Sequence, residues 1–251
     1  MYNIDKLMSN KVAMVTGGAR RLGRDISIEL GRSGFDVIII YNKSNTTILK
    51  DTISRIRENP VKATAIKCDL SKVSEIKKMF RKVYEKYKKL DLLVNNASIF
   101  EHADFFDTDE KFFDKIMNTN LKSVFFCSQE AAKIMLKSKN PSGKIINIAS
   151  LGGIENWTGF IPYSLSRVGV IKLTKLLAKR LAPEILVNAI APGTILIDND
   201  ANETVDFKEE KKYPMKRFAG SGDITSLINH LAITNEYITG QTIIVDGGRS
   251  L

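Results

Sequence analysis

The chain has 251 residues, 43% of them apolar, and 38 lysines and arginines against 28 aspartates and glutamates give a net charge of +10. That length and apolar content suit one sizeable core, and no run approaches the roughly 18 consecutive apolar residues of a membrane span. Two cysteines (Cys68, Cys127) and two histidines (His102, His230) show no metal-ligand spacing and no disulfide framework, so no metal site is expected.

The opening "MYNIDKLMSNKVAMVTGG" has no apolar block of the secretory kind, and a soluble cytoplasmic protein without a membrane partner is expected. The first strand is predicted at "KVAMV" (11–15), and "TGGARRLGR" follows it directly. A strand, a glycine-rich turn and a helix together aim backbone N–H groups and a helix N-terminus at a pyrophosphate. This places Gly17, Arg20, Arg21, Leu22 and Gly23 around a nucleotide. The second strand is "DVIIIY" (36–41). An acid that holds an adenosine ribose stands about 20 residues beyond such a loop. Asp36 fits that count, nineteen residues past Gly17, but it opens the strand, whereas a ligand lies at the strand's C-terminal end. That end reads Tyr41, Asn42, Lys43, Ser44: no carboxylate for a 2′-OH, but a cation and small donors for a 2′-phosphate. NADP(H) is therefore expected rather than NAD.

A third strand is predicted at "ATAIKC" (63–68) and a helix over 71–88. In that helix Ile76, Phe80, Val83 and Tyr87 keep helical spacing among the lysines of "KKMFRKVYEKYKK", which reads as a solvated face over a core stripe. A basic surface also attracts phosphates nonspecifically, yet no nucleic-acid recognition motif accompanies it, and a polyanionic small ligand suits the charge equally. Further strands are predicted at "LDLLVNN" (90–96), "KIINIA" (144–149), "LVNAI" (186–190) and "TIIVD" (242–246), with helices over 121–137 and 163–181. Near-continuous apolar strands alternating with helices predict one α/β domain over 1–251, a doubly wound parallel sheet of about seven strands covered on both faces. The polar stretch 195–220 breaks the alternation. It follows a strand's C-terminal end, where open α/β sheets place ligands and lids, so a substrate loop is expected there.

The motifs "TGGARRLG", "CDL" (68–70), "NNAS" (95–98), Asn120, Ser150, Tyr163, "APG" (191–193) and "YITGQTIIVDGG" (237–248) stand in the order of the short-chain dehydrogenase/reductase family. The chain resembles that family over essentially its whole length. Arg21 replaces the family's second loop glycine, and "RLGR" is similar to the pteridine reductase branch, where the side chain reaches a cofactor phosphate. The resemblance implies that Asp69 and Leu70 flank the adenine, and that Asn96, Ala97 and Ser98 run along the ribose and nicotinamide. It also implies cofactor contacts from Pro192 and Gly193. Ser150 would hold the substrate oxygen, Tyr163 would donate a proton as hydride arrives, and Asn120 would complete a water-linked proton path. A homotetramer packed through the helices at 121–137 and 163–181 is implied as well.

In the family a lysine four residues after the tyrosine lowers the tyrosine's pKa and binds the ribose; here that residue is Arg167. Arginine keeps the charge but is planar and longer, so the relay's geometry is the open point. Phe100, just past the fourth strand, resembles the aromatic that pteridine reductases stack on a pterin, and a dihydropteridine is the expected substrate. Serine at 150, where that branch has aspartate, fits the alternative of a 3-oxoacyl-[acyl-carrier-protein] reductase. A third alternative is an NADP(H)-binding protein whose catalysis is weak or lost because of Arg167.

Overall fold

The second strand shows why the sheet forms. Val37 and Ile39 project into one apolar cluster, Ile38 and Ile40 into another, and all four are fully buried. A strand buried on both faces is apolar throughout instead of alternating. The computed structural model describes residues 11–197 and 207–251.

In chain order the alternating elements are β1 (Val12–Thr16), α1 (Arg21–Arg32), β2 (Asp36–Tyr41), α2 (Thr46–Ile56), β3 (Ala63–Lys67), α3 (Val73–Tyr87) and β4 (Leu92–Asn95). They continue with α4 (Glu110–Met117), α5 (Ser123–Met135), β5 (Gly143–Ile148), α6 (Ile161–Leu181) and β6 (Ile185–Pro192). Two short strands, β7 (Ile195–Leu196) and β8 (Ala219–Gly220), precede α7 (Ser221–Asn229) and β9 (Thr242–Val245). The seven-stranded sheet has the order β3-β2-β1-β4-β5-β6-β9, with every pairing parallel. The order reverses between β1 and β4, and an open α/β sheet binds its ligand in the crevice at that reversal. One cluster packs α1, α2 and α7 against the sheet, and the other packs α3 and α5.

The stripe expected in the basic helix is the inner face of α3. Ile76, Phe80 and Val83 are buried, while Lys77, Lys78, Arg81 and Lys82 are exposed. Full burial of Phe80 contributes roughly 1.5–3 kcal/mol, which exposed lysines do not oppose.

In the stretch 195–220, where a substrate loop is expected, the described residues lie outside the seven-stranded sheet. Its two ends, β7 and β8, pair in parallel, and residues 198–206 lie outside the described ones. Its later part is seated by Tyr213, whose hydroxyl bonds Thr194 Oγ1 at 3.0 Å, and by Met215 N donating to Gly247 O at 3.2 Å. Among the described residues no helix is long and apolar enough to cross a membrane, and no group of His, Cys, Asp and Glu could hold a metal ion.

Candidate active site

A cleft of about 630 Å³ runs across the C-terminal ends of β1, β2, β4, β5 and β6. Its floor begins at the loop after β1. Gly17 lies at φ +65°, the left-handed region that glycine enters without penalty. A Cβ on Gly23 would collide with the Gly17 carbonyl oxygen and Asn96 Nδ2, so the first turn of α1 and the end of β4 meet only through glycine. Thr16 fastens the same junction: its Oγ1 accepts from Asn96 N at 2.9 Å and Ala97 N at 3.0 Å. No side chain caps the start of α1. Its first amides belong to cleft-lining residues, an arrangement that fits a pyrophosphate.

Lys43 and Arg20 are exposed at the cleft and have no ion-pair partner among the described residues, whereas Arg24 is held by Asp51. Asp36 is buried at the other end of β2, where its Oδ1 accepts from Lys62 N at 2.8 Å. Among the described residues no carboxylate therefore stands at the end of β2, and an anion fits beside Lys43 and Ser44. Beyond it, Asp69 is fixed by the Ser71 hydroxyl at 2.7 Å, which with the Ser71 amide and Lys72 holds the carboxyl below its ordinary range. Cys68 also lines the cleft. Burial, with Glu75 and Asp69 nearby, pushes its thiol up to about 12, so it stays protonated.

Every expected cofactor residue from Gly17 to Gly193 lines this one cleft, and Phe100, Ser150, Tyr163 and Arg167 close its far end. Ser150 Oγ accepts from Gly152 N at 3.1 Å. With a lone pair so engaged, the hydroxyl proton is free to point at a substrate oxygen. Tyr163, in the first turn of α6, is 7% exposed.

Arg167 is no surface residue: it is 3% exposed, and its Cζ lies 4.9 Å from the centroid of the Tyr163 ring. Both arms of its guanidinium are bonded within the protein. Nη1 donates to Ile148 O at 3.1 Å and Nη2 donates to Ser98 Oγ, so the guanidinium first ties the ends of β4 and β5 together.

Asn120 does not line the cleft. It is fully buried in a widened helical turn, Asn118–Lys122. Its Oδ1 accepts from Ile99 N at 2.8 Å, and its Nδ2 donates to Ile99 O at 2.8 Å and Ser166 Oγ at 3.3 Å. The side chain thus locks the 98–100 segment onto α6 one layer behind the site. A second buried chain of bonds does similar work. Asn95 Nδ2 donates to Ser128 Oγ and Asn147 Oδ1, and Asn147 Nδ2 donates to Thr174 Oγ1, joining β4, α5, β5 and α6.

Phe100 is 54% exposed, and one face is covered by Phe160 in parallel stacking at 4.4 Å. Trp157, with its ring 6.4 Å from that of Tyr163 and parallel within 9°, completes an aromatic wall that the sequence analysis missed. Its signal was its place between Ser150 and Tyr163, on the loop that leaves the end of β5.

The family profile described as short chain dehydrogenase matches residues 11–207. A 3-oxoacyl-[acyl-carrier-protein] reductase of Staphylococcus epidermidis is 37% identical over 243 residues, 95% of this chain and 98% of that protein. A 2-dehydro-3-deoxy-D-gluconate 5-dehydrogenase of Escherichia coli is 34% identical over 247 residues, 96% of each chain. The solved structure of acetoin dehydrogenase from Salmonella typhimurium superposes with a TM-score of 0.87 at 30% identity, covering 95% of both chains. These relatives do not single out the pteridine reductase branch. Agreement of this extent, in profile, sequence and structure alike, makes the chain a member of the short-chain dehydrogenase/reductase family and an oxidoreductase.

Proposed function

We propose that this protein is an NADPH-dependent carbonyl reductase whose substrate is of the 3-oxoacyl class. The observation that carries the reading is the pairing of Ser150, its proton left free by the Gly152 amide, with Tyr163 at the end of a cleft whose other end offers Lys43 and Ser44 to a phosphate. Relatives named as 3-oxoacyl-[acyl-carrier-protein] reductases support that class over the dihydropteridine first expected.

Asn96, Ala97 and Ser98 would hold a nicotinamide, which would supply the hydride when bound. Ser150 donates to the carbonyl oxygen and orients it. As the carbonyl carbon gains the hydride, the π electron pair moves onto oxygen, and Tyr163 delivers its proton there. Arg167, with its guanidinium carbon 4.9 Å from the centroid of the Tyr163 ring, places a positive charge beside the site of proton transfer. Water then returns the proton. By the same reading the protein works as a homotetramer assembled through α5 and α6.

One observation favours a second substrate class. Phe100 lines the cleft and is 54% exposed, which suits contact with a flat ring, so a dihydropterin is kept as the competing substrate. The test is NADPH oxidation with acetoacetyl thioesters, dihydropterins and dihydrofolate offered in parallel. Turnover of the thioester with little of the pterins is expected. Turnover of a pterin alone would transfer the assignment to that branch, and none with any of these substrates would mark a binding protein with lost catalysis.

A further inference from the structure

Trp157 is the only tryptophan in the chain, and it touches both halves of the reaction centre. Its ring lies on Gly152, where a Cβ would come within 2.7 Å of it, and the Gly152 amide is the group that holds Ser150 Oγ. The same ring is parallel to Tyr163 and edge-on to Phe100, with centroids 6.2 Å apart in the second pair. What fixes it lies outside the cleft. The indole N–H donates to Glu155 Oε2 at 2.8 Å, and the other carboxylate oxygen, Oε1, is 3.2 Å from Arg249 Nη1.

Arg249 stands on the turn after β9, whose backbone Asp246 holds by accepting from Gly248 N at 3.0 Å and Ser250 N at 2.8 Å. Glu155 and Arg249 do not line the cleft, so neither is placed to contact cofactor or substrate. A carboxylate bridging a guanidinium and an indole is charge-assisted on the Arg249 side and again at the indole N–H. The side chains of Arg249 and Glu155 are 32% and 23% exposed, which leaves the pair partly sheltered from solvent screening.

We propose that Trp157 is a specificity-determining residue of the substrate pocket, and that Arg249 is its positioning residue, acting through Glu155. The wall that Trp157 forms with Phe100 is flat and apolar, and it receives the group attached to the reacting carbonyl. Loss of the Arg249 bridge frees Glu155 to turn toward solvent. The indole then loses its partner, and the wall loosens while the cofactor cleft keeps its shape. The proposal deepens the carbonyl-reductase reading and rests on it for the kinetic arm alone.

Because Trp157 is the sole tryptophan, its emission reports on the wall directly. The experiment compares wild type with Arg249→Met, Arg249→Lys and Glu155→Gln by tryptophan emission, acrylamide quenching, NADPH binding through energy transfer, and steady-state kinetics with acetoacetyl thioester. In Arg249→Met and Glu155→Gln the emission is expected to shift red and quenching to rise. The KM for the thioester is expected to increase about tenfold, as for the loss of one charge-assisted hydrogen bond. In the same variants kcat and NADPH affinity should stay within about twofold of wild type, the signature of lost binding contact rather than lost chemistry. Arg249→Lys should restore both emission and KM. Unchanged emission and quenching in Arg249→Met and Glu155→Gln would overturn the proposal, as would a parallel loss of kcat, KM and NADPH binding. If the wild type reduces no carbonyl, the carbonyl reading fails by itself, and the emission of the variants still decides whether Arg249 positions Trp157.

Discussion

Arg167 has a guanidinium buried beside Tyr163, with Nη1 and Nη2 bonded to Ile148 O and Ser98 Oγ. Arg167→Lys keeps the charge and gives up one of the two bonds that tie Ile148 to Ser98. It should therefore preserve or raise kcat. Arg167→Met removes charge and donors together and should lower kcat/KM by ~10²–10⁴-fold, the range for losing effective acid–base catalysis. Tyr163→Phe should abolish turnover with NADPH still bound. Steady-state kinetics on the three variants, with NADPH binding measured separately, checks this; full activity in Arg167→Met would remove Arg167 from the mechanism. Lys43 admits a second residue-scale prediction. With no acid at the end of β2, NADPH should bind at least ~10-fold more tightly than NADH, as a charge-assisted phosphate contact implies. Lys43→Asp should reverse that order, because a carboxylate repels a 2′-phosphate and accepts from a 2′-OH. Titration of nicotinamide fluorescence with both cofactors is the measurement, and equal dissociation constants in the wild type would defeat it.

At the scale of elements, the turn between β1 and α1 holds a non-glycine in a glycine's place: Arg21 lies at φ +50°. A side chain in that region costs of order 1–3 kcal/mol, which the turn bears where the family has glycine. Arg21→Gly should relieve the strain but add freedom to the unfolded chain, so stability should change little or rise by ~1 kcal/mol. If the Arg21 side chain reaches for a cofactor phosphate, the same variant should lose NADPH affinity. Thermal unfolding alongside NADPH titration separates the two effects, and unchanged affinity would leave Arg21 with a conformational role only. The inner strands were legible because each is a largely apolar run that the sheet buries, while the edge strands β3 and β9 are only partly buried. Boundaries moved by at most two residues, outward in β6, which reaches Ile185 and Pro192 beyond the expected 186–190, and inward in β4, which is Leu92–Asn95 within the expected 90–96. The lining of the cleft from Gly17 to Gly193 was legible because it is built from short contiguous motifs. The aromatic wall and the duties of Asn120 and Arg167 were not, since each depends on partners distant in sequence. Ile99 with Asn120, Ser98 with Arg167 and Arg249 with Glu155 meet only once the sheet has closed.

For the whole molecule, the outer side of α6 is the feature that a single chain leaves unfinished. Tyr163, Ser166, Arg167 and Val170 face inward, yet Leu165, Val168 and Leu176 on the other side are 50%, 50% and 56% exposed. Phe125 on α5 is exposed beside them, and Met117, Leu121, Phe126 and Leu173 line the apolar groove between the helices. An exposed apolar patch of this kind marks an association surface. A second copy of the chain is the partner proposed here, since two such faces related by a two-fold axis are self-complementary. The consequence reaches the active site, because the helix braced by the partner is the one that carries Tyr163 and Arg167. Wild type should therefore run well above its chain mass of 28.1 kDa in size-exclusion chromatography with light scattering, with a tetramer as the expected species. Leu176→Glu places a charge that the association would have to desolvate, and it should lower the oligomeric state. Activity per chain should fall with it, although Leu176 lies far along α6 from Tyr163. A monomeric wild type, or a Leu176→Glu variant that keeps the wild-type mass, would show that this face serves another purpose.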